Sequence, residues 1–116
     1  MKTISILFYP SQAKITEGLH ARSSGERMVG LLKHASLSDR EAMLISSCKQ
    51  VHTFFMKFSI DAIFIGRDGT VVGVEELKPW RLSKIHWRAH SVIETRIGWA
   101  KSHGIIVGSK AEVTPC

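Results

Sequence analysis

The sequence predicts an α+β chain that is mostly β: a coiled antiparallel sheet or small open barrel with two short helices. Three observations predict this. Short runs of β-branched and aromatic residues recur along the chain, separated by Gly-, Pro- and Ser-containing breaks. One break, Gly66-Arg67-Asp68-Gly69, has the composition of a tight hairpin turn. Helical spacing or helix-end chemistry marks only two short stretches.

The elements follow in order. Thr3 to Tyr9 reads as a strand that ends at Pro10, and Ile15 to Ala21 as a weaker one. Ser23-Ser24-Gly25-Glu26 matches a capping box, and Met28, Leu31 and Leu32 follow at helical spacing, so a helix is expected from about Ser24 to Lys33. A second Ser-x-x-Glu, Ser38 to Glu41, is read as a turn, and Ala42 to Ser46 as extended. Thr53 to Met56 and Ser59 to Ile65 are apolar at nearly every position, the pattern of strands inside a fold. Thr70 to Leu77 returns from the hairpin turn, and Pro79 stops it. Ser91 to Thr95 is a further strand. Ile97 to His103 is expected to form two helical turns, closed by Gly104. Ile105 to Val107, a turn at Gly108-Ser109 and Ala111 to Thr114 complete the chain.

Length and composition bound the possibilities. At 116 residues, residues 1–116 are read as a single domain, and 44% hydrophobic with 22% charged residues is an ordinary globular balance. Two cysteines, Cys48 and Cys116, are no disulfide framework, and a cytoplasmic setting is expected. Apolar runs fall well short of the roughly 18 residues of a membrane span. Met1 to Tyr9 reads as a strand and not as a signal peptide.

Charge is unevenly spread. The net is +6, from 16 basic and 10 acidic residues. Residues 78–96 hold Lys78, Arg81, Lys84, Arg88 and Arg96 against Glu94, a net of +4. Lys78, Trp80, Arg81, Lys84, Trp87 and Arg88 interleave cations with indoles, a pattern suited to phosphates and stacked bases or to an acidic partner. The plainer expectation is a solvated loop whose tryptophans fold back onto the core beneath the guanidinium groups.

The order of motifs resembles one family. Glu26-Arg27-x-x-Gly30-Leu31-Leu32, Ala42-Met43-Leu44-Ile45, His52-Thr53-Phe54-Phe55-Met56 and Ile60-Asp61-Ala62-Ile63-Phe64 with Asp68-Gly69 are similar to the domain of unknown function 192 family. Leu77-Lys78-Pro79-Trp80-Arg81, Glu94 with Gly98, and Gly104-x-x-x-Gly108 resemble its second half, so the likeness runs from about Ala21 to Val113. Phe55, Ala42 and Ser109 stand where tryptophan, glycine and aspartate are usual in that family. The resemblance implies a compact, mostly-β prokaryotic protein with no established reaction.

Asp61 interrupts an apolar run, so its carboxylate needs a partner; His52, Arg27, Lys57 and backbone amides at the strand start are the candidates. The carboxylate serves either as a clamp on a turn or as part of a site. From these residues the sequence predicts a small binding module whose recess is shaped by His52, Thr53, Met56 and Asp61, with Arg27 nearby and an unidentified ligand. The alternative is an electrostatic adaptor that binds nucleic acid or an acidic partner through residues 78–88. An enzyme using His52 and Asp61 has least support, because no nucleophile or cofactor motif accompanies them. Cys48 and His52 stand four apart, too far for a dyad on an extended strand. His86 and His90 share a face but lack further ligands, so neither a metal nor another cofactor is expected. Glu94 is a second candidate carboxylate, paired with Asp61 only if the fold brings them together.

Overall fold

The structure, a computed structural model, describes residues 2–22 and 36–116. Seven strands form one sheet: β1 (Lys2–Tyr9), β2 (Lys14–Ala21), β3 (Glu41–Ser46), β4 (Ile60–Ile65), β5 (Val71–Leu77), β6 (Ser91–Arg96) and β7 (Lys110–Pro115). Their spatial order is β5-β4-β6-β3-β2-β1-β7. A single helical turn, α1 (Trp99–Ser102), lies between β6 and β7. The helix expected from Ser24 to Lys33 lies outside the described residues, so one short helix stands among those described.

The sheet curls into a half-barrel whose edges meet at one end. There the Val71 amide donates to the Ser109 carbonyl at 2.7 Å, and the Ala111 amide donates to the Gly69 carbonyl at 2.8 Å. Gly69 permits this meeting twice over. Its φ of 87° suits the hairpin turn, and a Cβ there would lie 2.4 Å from the Ala111 carbonyl oxygen. All pairings are antiparallel except β2 with β3. A parallel neighbour needs a crossover, and residues 22–40 supply the length for it.

Strand alternation divides the core between two faces. Ile63 and Ile65 join Ile4, Ile6, Phe8 and Trp99 on one face. Ile60, Ala62 and Phe64 join Met43, Ile45, Val51, Met56 and Leu77 on the other. Because both faces of β4 are covered, its six residues are all buried, as the unbroken apolar run predicts. Trp99 is fully buried, packs against Phe8 with ring centroids 5.4 Å apart, and donates its indole N–H to the Asp39 carbonyl at 2.9 Å. Truncating it to alanine is expected to cost about 3–5 kcal/mol.

Two segments depart from the sequence expectation. Thr53 to Met56 is a turn and not a strand, with the Met56 amide donating to the Thr53 carbonyl and Phe55 at φ 68°. An apolar run reads alike in a strand and in a loop that anchors through alternate side chains. The helix after β6 starts two residues later and ends one residue earlier than expected, because Gly98 at φ 81° sets the entry and helical geometry runs only from Trp99 to Ser102. The Ser38-x-x-Glu41 turn forms as expected, with the Ser38 amide donating to the Glu41 carboxylate at 2.8 Å.

Candidate functional site

Asp61 is 1% exposed. One carboxylate oxygen accepts the Gly98 amide at 3.0 Å and the other the Ala100 amide at 2.9 Å. Its partners are therefore backbone groups at the entry to α1 and not His52, Lys57 or amides at the start of its own strand. Arg27 lies outside the described residues. Burial pushes the Asp61 carboxyl above its ordinary range, against the pull of the Ala100 and Gly98 amides.

Among the described residues, His52, Thr53 and Met56 are not brought into one recess with Asp61. Met56 packs with Ile60, Ala62 and Phe64, whereas Asp61 shares the opposite face with Ile63 and Ile65. Neighbouring residues of a strand point to opposite sides, so Asp61 and the Val51–Met56 loop are separated by the sheet itself. The same rule separates Asp61 from Glu94. Glu94 is fully buried and registers with Ala62, while Asp61 registers with Thr95, which puts the two carboxylates on opposite faces.

What the structure brings together is the His52–Met56 loop and the Lys78–Arg81 loop. Thr53 joins them. Its amide donates to the Arg81 carbonyl at 2.8 Å, its hydroxyl donates to the Lys78 carbonyl at 2.6 Å, and the same hydroxyl oxygen accepts the Arg81 amide at 2.9 Å. The Thr53 carbonyl takes the Trp80 amide at 2.9 Å. Next to this knot His52 bridges Leu82, accepts the Phe54 amide at its Nδ1, and stacks on Phe54 with centroids 4.8 Å apart. Phe54 lies 6.1 Å from Trp80, and Phe55 lies 4.8 Å from it. The result is an aromatic platform on the surface. Phe55 and Trp80 both hold φ in the left-handed region, at 68° and 64°, where non-glycine residues are strained.

Beyond Trp80 the chain is pinned at alternate points. Ser83 is buried, its amide and hydroxyl paired with Val51 on either side of that residue's peptide groups. Glu75 on β5 accepts from the Lys84 amide at 3.0 Å and pairs with His86 Nε2 at 2.6 Å. The His86 ring lies over Phe64 at 3.8 Å, in space that exists because residue 73 is glycine. These anchors leave the intervening side chains outside. Trp80 is 57% and Trp87 74% exposed, and Lys78, Arg81, Lys84 and Arg88 are exposed around them. The expectation that the tryptophans fold back onto the core is thus corrected; the buried indole is Trp99. Among the described residues, none of those four cations pairs with a carboxylate.

The cationic strip is visible in charge spacing, whereas the platform arises from the meeting of two loops. The apolar run around Phe54 and Phe55 reads as core, yet Phe55 is exposed; the signal for it in the sequence is the alternation of large rings with Lys57, Lys78 and Arg81 across two loops. Cys48 is half-buried, with its thiol donating to the Gln50 carbonyl at 3.0 Å. No group of three or more His, Cys, Asp or Glu suited to a metal occurs among the described residues. Nor, among them, is any helix long and apolar enough to cross a membrane.

Comparisons with known proteins agree with this picture of the fold. The family model DUF192, described as "Uncharacterized ACR", matches residues 4–113. A UPF0127 protein of Pyrococcus abyssi is 44% identical over 62 residues, 53% of each chain. Another, from Pyrococcus horikoshii, is 44% identical over 52 residues, 45% of each chain. These alignments span about half the length of the curated relatives. A protein of unknown function from Novosphingobium aromaticivorans superposes with a TM-score of 0.79 at 23% identity, covering 95% of this chain and 83% of that one. A Sinorhizobium meliloti protein named "putative transcription regulator" gives 0.80 at 22%, covering 97% and 94%. At such identities the likeness is one of fold.

Proposed function

For a chain that belongs to the DUF192 family, whose description assigns no reaction, we propose a binding function in which the Phe54–Phe55–Trp80 platform and the strip 78–88 take single-stranded nucleic acid. One observation carries the reading: two indoles stand in solvent among four exposed cations on a loop pinned by Thr53, Ser83 and His86. Large apolar side chains left in water on a rigid loop mark a surface made for contact. Cations track a phosphate backbone, and ring faces accept bases of any sequence at about 1–3 kcal/mol per stacked base. The formal charge of +6 favours approach to a polyanion. The regulator name of the Sinorhizobium meliloti neighbour points the same way as a statement about that protein.

Binding of a labelled single-stranded oligonucleotide, read by fluorescence anisotropy at several salt concentrations, tests the proposal. Affinity is expected to fall steeply with salt, and Lys78→Ala plus Arg81→Ala to flatten that dependence. Equal binding of polyglutamate would move the assignment to an acidic protein partner. Salt-independent binding, or none, contradicts it.

A further inference from the structure

A cleft opens between the β4–β5 turn and the chain that leads into β6. Arg67 and Asp68 line it from the turn, Trp87, Arg88 and His90 from the chain leading into β6, and the Lys49 ammonium lies against the Trp87–Ala89 backbone. It continues past Cys48 and Ile85, and its two overlapping lobes measure about 500 and 630 Å3. Three cations against one carboxylate give the cleft a net positive charge, and Trp87 supplies an exposed ring at its wall.

The cleft is framed by fixed groups. The Lys49 ammonium donates to the carbonyls of Trp87 and Ala89 at 2.8 and 2.7 Å, which holds its charge in place and leaves its third N–H direction for another acceptor. The His86 amide donates to the Lys49 carbonyl, the Cys48 amide to that of His90, and the His90 amide to that of Ile65. The Asp68 carboxylate is turned into its own loop, accepting the Thr70 amide at 3.0 Å and the Thr70 hydroxyl at 2.9 Å, with Lys110 Nζ 3.9 Å away. Its oxygens thus point at Thr70 in its own turn, and the exposed Lys110 ammonium offsets its charge only in part.

We infer that this cleft seats one nucleotide by its phosphate and its base, the phosphate against Lys49, Arg67 and Arg88 and the base on Trp87. A phosphomonoester that carries an aromatic base comes either from the end of a nucleic-acid strand or from a free mononucleotide. The strand source rests on the reading proposed above; the mononucleotide source does not.

The two are separated with adenosine 5′-monophosphate, adenosine, and oligothymidylates bearing a 5′-phosphate, a 3′-phosphate or neither. Adenosine 5′-monophosphate is expected to quench tryptophan fluorescence saturably and at least tenfold more tightly than adenosine. Arg67→Gln and Trp87→Leu, both at exposed side chains, are each expected to weaken it about tenfold with unchanged thermal unfolding. One terminal phosphate is expected to raise oligonucleotide affinity at least fivefold, an advantage lost in Arg67→Gln and kept in Trp80→Ala. Oligonucleotides that bind with no preference for a terminal phosphate, together with no saturable mononucleotide binding, overturn the cleft assignment and leave the strand-binding surface standing. Phosphate-dependent mononucleotide binding with no oligonucleotide binding keeps the cleft and overturns the strand reading. Equal binding of adenosine and its monophosphate overturns the phosphate seat.

Discussion

Thr53 and Arg81 are hydrogen-bonded twice, the Thr53 amide to the Arg81 carbonyl at 2.8 Å and the Arg81 amide to the Thr53 hydroxyl at 2.9 Å. This pair converts two loops far apart in sequence into one surface. It also fixes Trp80, whose amide donates to Thr53 between those contacts. Thr53→Val, nearly the same shape, removes the hydroxyl and strands the Lys78 carbonyl and Arg81 amide. Urea unfolding is expected to show a loss of about 1–3 kcal/mol, and Thr53→Ser to restore most of it. Equal stability of all three proteins contradicts the knot.

Phe55 and Trp80 combine an exposed ring with a strained backbone. Each holds a left-handed φ that glycine adopts without strain. Phe55→Gly is expected to leave the melting temperature unchanged or raise it, relieving on the order of 1 kcal/mol of backbone strain. Oligonucleotide affinity is expected to fall severalfold in the same protein. A marked drop in melting temperature with intact binding would assign Phe55 to the core instead.

Gly73 makes room for His86, since a Cβ there would lie 2.4 Å from the imidazole Nδ1. Gly73→Ala is expected to expel the ring from Phe64 and Glu75 and to destabilise the chain by about 1–3 kcal/mol. The loss of the His86–Glu75 contact is checked by histidine NMR shifts. Unperturbed histidine signals contradict the packing described.

Asp61 gives a pH signature of defined sign. Burial raises its folded pKa above the ordinary value of 3.8, with the Ala100 and Gly98 amides opposing. The folded chain then keeps a proton that the unfolded chain releases. Its favourable contribution is complete below the unfolded pKa and is lost as pH rises through the folded one. Asp61→Asn abolishes this titration and sets an NH2 group against one of the two amides, at a cost of about 1–3 kcal/mol in acid. The stability gap between wild type and Asp61→Asn is expected to narrow as pH rises from about 3 to 7. A gap that widens over that range contradicts the assignment.

Most of the sheet was legible because β4 and its hairpin follow period and turn chemistry directly, from Ile60 through Gly69 to Leu77. The parallel β2–β3 pair was not, since strand direction depends on the path of residues 22–40 and not on either strand's own pattern. For the site, charge spacing exposes the strip from Lys78 to Arg88 but does not set which way its tryptophans face. Trp80 faces water because Thr53 grips the backbone on both sides of it, a contact between residues 28 apart that no local pattern carries. Asp61 was correctly singled out as needing a partner. Which partner depends on the face it shares with α1; period two puts Ile60 and Asp61 on opposite faces, and the packing of the Met56 loop against Ile60 is a tertiary fact that period does not carry.

The chain contains three tryptophans, and their indole N–H signals offer an internal comparison. Trp80 and Trp87 are exposed, whereas Trp99 is fully buried and bonded to the Asp39 carbonyl. Titrating the 15N-labelled protein with a short single-stranded oligonucleotide reads all three at once. The account predicts saturable shifts at Trp80 and Trp87 and a stationary Trp99. Stationary signals at Trp80 and Trp87 through a saturating excess would contradict it.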